Sequence, residues 1–515
     1  MEQLAQALRE VRQACPDLPV LAIHWMHLKQ PIHPVQEELL QQIETSAVRK
    51  PVPNDYFVAL CQLPARFLIS LLYGFYLAFW LVTMRLRLRR PLAEVRARGF
   101  DLIAKSWIVG TTISPPGEDF YYGDLQKRIE GRGVRMLLLF GHALGKDWTG
   151  STLGNASAGP FCRLQEGCLV PLSAPLRMPF LQARTSLRLL RSALKMSSPL
   201  SRQVAVMAAR DCLDRKNMSQ SLYYEMGRHV VRLWKPKAFL TLYEGYGWEQ
   251  CLWAGVKQGD PSCRTIGFQH SVLFKHSLEL LHPSMDQLAH ARPDLVLCSG
   301  PATSTLLKTH HTRSEIISFG TFRSAPGSQE LRRPDPAKRT VLVLPEGYTW
   351  ECQLLFNNAM QAARLLPDVR FVFRCHPILP FEEILSLLDQ NPDHLPNVEL
   401  SRRPLISEDF AAASAVLYRG TSSVLYAILY GLKPIYFHSD QHREIDPLFE
   451  LTAWKERACS SQDLMEILQR YQAAGPEAAE KHWAKVLDYV REYVHPVDES
   501  SLDRFLFAIG QETKN

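Results

Sequence analysis

The chain has no CxxC pair and no His/Cys cluster at zinc spacing. That absence removes the zinc-knuckle and dithiol-redox classes. Its eleven cysteines are scattered over 515 residues, as expected of small buried hydrophobes in a reducing cytosol. No Lys/Arg block interleaves with aromatics, so the chain does not read as a nucleic-acid binder. Met1-Glu2-Gln3 brings neither a basic n-region nor an apolar h-region, and no secretory signal is expected there. No internal repeat, low-complexity tract or DxD motif in a strand-end context is evident; without DxD, the expectation is chemistry that needs no metal.

What is present describes a folded globular chain. Hydrophobic residues make up 46% and charged residues 22%, and the length exceeds one core, suggesting two or three domains. Net charge +7 and a pI near 8.8 suit anionic substrates or an anionic membrane surface. Apolar strand-like runs at 20–25, 107–112, 134–140, 238–243, 264–268, 295–298 and 315–319 alternate with helix-like stretches. After a Pro/Gly-broken charged segment they resume at 341–344, 369–373, 398–400, 415–418 and 434–437. The alternation predicts α/β architecture with parallel sheets. Two Rossmann-like domains facing a central cleft are expected. These are residues 1–325 on the acceptor side, a linker at 326–339, and residues 340–515 on the nucleotide side with terminal helices at 478–494 and 502–509. Residues 154–159 read as a loop, and 185–219 as helical with a break near Pro199.

Residues 67–84 carry no charge and run into Arg85-Leu86-Arg87-Leu88-Arg89-Arg90. Eighteen uncharged residues stand at the lower limit for crossing a bilayer. Strands expected on either side, at 20–25 and 106–112, would then lie across the membrane from each other. The expectation is therefore a crossover helix whose arginines meet anionic lipid; the alternative is a wholly buried core helix.

Two short motifs end predicted strands. Arg374-Cys375-His376-Pro377 supplies a ring able to donate to a phosphate oxygen, with Arg374 beside it or paired with a carboxylate elsewhere. Arg419-Gly420-Thr421-Ser422-Ser423 supplies hydroxyls and N–H groups at a helix start, suited to an anion or to ordinary capping. Open α/β sheets bind ligands beyond such strand ends. Glu244 ends another strand and is followed by Gly245 and Gly247. It faces the crevice as a base, or serves the dipole of the next helix. Glu249, one turn on, reads as solvated or substrate-orienting. Gln269 and His270 are placed toward acceptor or donor sugar, or in a loop hydrogen-bond pair. Glu346 in Pro345-Glu346-Gly347 is placed toward a donor ribose hydroxyl, and Gly320 and Arg323 toward the cleft.

The His-Pro pair and the Thr421–Ser423 turn resemble the HP and SS motifs of bacterial sialyl-, polysialyl- and Kdo-transferases of the GT-B class. CDP-glycerol glycerophosphotransferases carry a similar pair. The stretch 243–250, with Gly267-Phe268-Gln269-His270-Ser271, is also similar to uncharacterised bacterial surface-carbohydrate (O-antigen or capsule) biosynthesis proteins. These families carry an acidic-acidic-Gly motif whose second acid is the base; Glu244 matches it, while Tyr243 stands in place of the first acid. The resemblance implies a glycosyltransferase with a CMP- or CDP-linked donor, a sialic-acid-like or Kdo-like sugar, and a surface-glycan or lipid-linked acceptor. No other cofactor is implied. It places the protein in the cytoplasm, peripheral on the inner face of the membrane. A CDP-alcohol-dependent glycerophosphate or ribitolphosphate transferase, or a non-catalytic membrane-docked scaffold, is the alternative.

Overall fold

The computed structural model describes residues 1–28, 33–45, 48, 53–108, 115–142, 161–281, 291–310, 313–322, 331–376 and 379–511. Two all-parallel sheets organise them. The first contains β1 (Leu102–Ile108), β2 (Met136–His142), β3 (Cys162–Gln165), β4 (Ala238–Leu242), β5 (Arg264–Gln269), β6 (Leu295–Cys298) and β7 (Glu315–Ser318), in spatial order β3-β2-β1-β4-β5-β6-β7. The second contains β8 (Thr340–Leu344), β9 (Arg370–Phe373), β10 (Val398–Leu400), β11 (Ala415–Tyr418), β12 (Lys433–Phe437) and β13 (Glu456–Ala458), in order β10-β9-β8-β11-β12-β13. The central strands are apolar on both faces because helices cover both.

Each sheet reverses its strand order once, between β1 and β4 and between β8 and β11. Such switch points leave a crevice beyond the strands' C-terminal ends. The segments after β4, β8 and β11 therefore stand at the two places where a ligand crevice is expected.

Several sequence expectations are corrected. Residues 20–25 form no strand; helix Leu18–Ala22 and a 3-10 turn His24–Met26 occupy them. Pro19 sits in the helix's first turn, where its missing N–H is harmless. Of the strand expected at 107–112, residues 107 and 108 end β1, which begins at Leu102 and pairs Lys105 with Leu139, while 109–112 lie outside the described residues. A lysine in mid-strand had hidden that start. The short edge strands β3 and β13 were not foreseen. The loop at 154–159 lies outside the described residues, as do Arg323 and part of the 326–339 linker.

The chain ends by crossing back. Helix Ser461–Tyr493 breaks at Gly475, at φ +73° before Pro476, and packs with the second sheet's core. Thr321 N–H then donates to His495 O at 2.7 Å. Gly320, at φ +114°, makes this crossing possible, because a Cβ there would fall 2.8 Å from Val497 N. The last helix, Glu499–Ala508, buries Leu502, Phe505 and Leu506 in the first sheet's core against Phe319 and Leu297. It does not stay with the second sheet, where the 340–515 division had put it.

Candidate active site

A cleft of about 560 Å³ lies between the strand ends of the two sheets, a size suited to a nucleotide-sized ligand. From the first sheet's side it is lined by Tyr121, Glu244, Tyr246 and His270, and from the second by Glu346, Tyr348, Arg374, His376 and Thr421, Ser422 and Ser423. Residues separated by more than a hundred positions thus share one space.

Glu244 is held by its own helix. Glu249, three residues past the Tyr246 cap, is fully buried. Its carboxylate accepts N–H bonds from Glu244 at 3.0 Å, Gly245 at 3.0 Å and Tyr246 at 3.1 Å. Burial, and then the charge of Glu244, push the Glu249 carboxyl well above its ordinary range, while those three N–H groups pull it back. Glu249 is accordingly neither solvated nor able to touch a substrate; it fixes the loop that presents Glu244. The Glu244 Oε1 lies 2.9 Å from Nε2 of His270, whose ring packs edge-on to Tyr121 at 4.8 Å.

The second half repeats this loop. Glu244-Gly245-Tyr246-Gly247-Trp248-Glu249 after β4 is matched by Glu346-Gly347-Tyr348-Thr349-Trp350-Glu351 after β8. The chain therefore does contain an internal repeat, six residues long, which corrects the sequence reading. In both copies the first Glu and the Tyr line the cleft and the last Glu is buried. Glu351 accepts the Gly420 N–H at 3.1 Å, and burial pushes its carboxyl up to about 7. In both copies the Trp stands near a buried cation, Lys105 within the adjacent strand β1 and Arg419 just past the end of the adjacent strand β11. Lys105 Nζ is 4.5 Å from the Trp248 ring, and Arg419 Cζ is 5.4 Å from the Trp350 ring. Burial lowers Lys105 to about 7, with the Glu166 carboxylate 3.5 Å away opposing that shift.

Not every expected site residue reaches the cleft. Arg419 is fully buried and donates to the carbonyls of Phe437, His442 and Arg443 at 2.9, 3.1 and 2.7 Å. It braces the 437–443 loop and is not a donor ligand. Gln269 is also buried and is bonded to Ser271 O and to the Ser299 N–H. Gly320 belongs to the C-terminal crossing. Gly420 lies just behind the wall, where a Cβ would meet Glu346 Oε2 at 2.5 Å, so its bareness admits that carboxylate. Arg374 lines the cleft and is paired with Asp409, which also takes Arg403 and Ser401. The Ser422 hydroxyl makes no cap bond to its helix Ser423–Leu429; Thr421 Oγ1 accepts the Ser423 N–H at 3.3 Å instead. Sequence reasoning missed Tyr246, Tyr348 and Tyr121; the duplicated Glu-Gly-Tyr would have signalled the first two.

No family model matches the chain, and no curated protein matches it in sequence. Solved structures do. The glycosyltransferase SnogD from Streptomyces nogalater is 12% identical with a TM-score of 0.39, covering 80% of this chain and 100% of that one. A glycotransferase of kitacinnamycin is 11% identical with a TM-score of 0.46, over 79% and 99%. TarM is 12% identical with a TM-score of 0.37, over 56% of this chain and 58% of that one, less than two thirds of its length. At these values the likeness concerns the broad run of strands and helices and assigns no residue a role.

Proposed function

We propose that the chain is a glycosyltransferase of the GT-B kind, transferring a sugar from a nucleotide donor to an acceptor hydroxyl. The observation that carries this reading is the meeting of Glu244–His270 with His376, Ser422 and Ser423 across one cleft at the switch points of two parallel sheets. Glu244 takes the proton of the acceptor hydroxyl as its oxygen bonds to the anomeric carbon. The bond from that carbon to the donor phosphate oxygen breaks, and the negative charge leaves with the nucleotide. His376 and the Ser422–Ser423 hydroxyls meet that charge. His270 orients Glu244, and Glu346 faces the donor's hydroxyls from the opposite wall. The donor is a CMP- or CDP-linked, sialic-acid-like or Kdo-like sugar, on the strength of the HP and SS resemblance. The acceptor is a bacterial surface glycan or glycolipid.

Thermal denaturation with CMP, CDP, UDP and GDP tests the donor. A nucleotide at a hundred times its dissociation constant should stabilise by about 2.7 kcal/mol. Stabilisation by UDP or GDP and not by the cytidine nucleotides would overturn the donor assignment. Glu244→Gln should lower transfer by roughly 10²–10⁴-fold and leave nucleotide stabilisation intact. Loss of nucleotide binding in that variant would contradict its role as base.

A further inference from the structure

The helix Pro53–Arg87 is neither of the things a long apolar helix usually is. It is not a core helix, since its most apolar window is 22% buried. Leu68, Leu72, Phe75, Tyr76, Phe79 and Leu86 are 55, 60, 57, 59, 70 and 65% exposed. Their spacing of three, four and seven residues puts them on one stripe. The stripe continues onto the neighbouring helix Ala174–Lys195, where Phe180 is 60% exposed and meets Phe67 edge-on at 5.2 Å. A contiguous apolar surface of this extent marks a docking face, unlike scattered exposed leucines.

It is not a spanning helix either. Its 35 residues extend about 50 Å, against about 30 Å of hydrocarbon. Its other face is fastened to the body. Ser70 Oγ donates to Gln182 Oε1 at 2.9 Å, Gly74 lies against Pro175 O, and Arg85 donates to the carbonyls of Cys168 and Val170. The residues before it are built into the same body as those after it, since Arg12 and His27 both contact the buried Glu279.

We propose that this face seats the protein on the surface of an anionic bilayer, the helix lying in the plane of the membrane. Charge selects the occupant. Arg87, Arg89 and Arg90 are exposed at the end of the stripe, and Arg184, Arg191 and Lys195 are exposed on the neighbouring helix. A basic rim around an apolar face complements anionic headgroups, and it would oppose an identical rim on a second copy. The inference is independent of the transfer reading, because its test needs neither donor nor activity.

The full-length protein is sedimented with sucrose-loaded vesicles of phosphatidylcholine, alone or mixed with phosphatidylglycerol, in low and high salt. Binding to the mixed vesicles, weakened by salt and by roughly fivefold for each of Arg87→Gln, Arg89→Gln and Arg90→Gln, is expected. Phe75→Ser with Phe79→Ser should abolish binding without lowering the thermal midpoint. Leu72→Ser with Leu86→Ser gives an independent pair should the first misfold. Equal binding to both vesicle types, or undiminished binding by both serine pairs, would overturn the proposal. So would a vesicle-independent dimer dissolved by those pairs, which would assign the face to a second copy, and so would resistance to carbonate extraction, which would indicate spanning.

Discussion

Glu249 and Glu351 show why a residue's type does not announce its job. Both are acids beside a cleft, yet both are buried and turned onto backbone N–H groups, while Glu244 and Glu346, five residues earlier in each case, face the space between the sheets. Replacing Glu249 by Gln sets an amide donor against one of three loop N–H groups. A loss of about 1–3 kcal/mol is expected, read as a lower urea midpoint at unchanged slope, with kcat falling as Glu244 loses its support. Glu351 has a pH signature. Its carboxyl stands at about 7 in the fold against an ordinary 4.5. The native state therefore holds the proton between those values, and this group's contribution is greatest below pH 4.5 and is lost as pH rises through 7. Relative to Glu351→Gln, the wild type should lose stability over that window by on the order of 3 kcal/mol, measured as the difference in unfolding free energy at each pH. The same lesson covers Arg419 and Gln269, whose positions in promising motifs were legible and whose burial was not.

At the scale of elements, the strongest constraint on the site is the crossing of helices Arg215–Trp234 and Gly247–Gly259. The two touch backbone to backbone. A Cβ on Gly255 would fall 2.1 Å from Tyr224 O, and one on Gly227 would fall 2.7 Å from Leu252 O. That contact sets the start of the second helix, and with it the Glu244 loop. Gly255→Val should force the helices apart, costing at least about 1–3 kcal/mol, seen as a lower thermal midpoint together with weaker transfer. Most strands were legible because each is a short apolar run bounded by breakers. Where legibility failed, the cause was local. Lys105 interrupts β1, and β3 (Cys-Arg-Leu-Gln) and β13 (Glu-Arg-Ala) carry no apolar run to separate them from loop. The long apolar helix was legible as apolar, but its exposed and attached faces depend on what packs beside it.

For the whole molecule, the return of the last helix matters most. It ties the second half to the first through Leu502, Phe505 and Leu506 in the core, and through Arg128 and Arg132 to Glu499. Removing residues 496–515 exposes that core. With about 1.5–3 kcal/mol for each large buried side chain, a loss above about 4 kcal/mol is expected, visible as aggregation or a markedly lower thermal midpoint of the full chain's remainder. The α/β class, the parallel sheets and the candidate residues Glu244, His270, Glu346, His376 and Ser422–Ser423 follow from the sequence by itself, because apolar runs and strand-end motifs are local properties of the chain. Strand order, the cleft that gathers those residues, the burial of Arg419, Gln269 and Glu249, and the bare face of the 53–87 helix were decided by tertiary structure. Each depends on which distant segments share a surface, and that is set by packing between elements rather than by the pattern within any one of them.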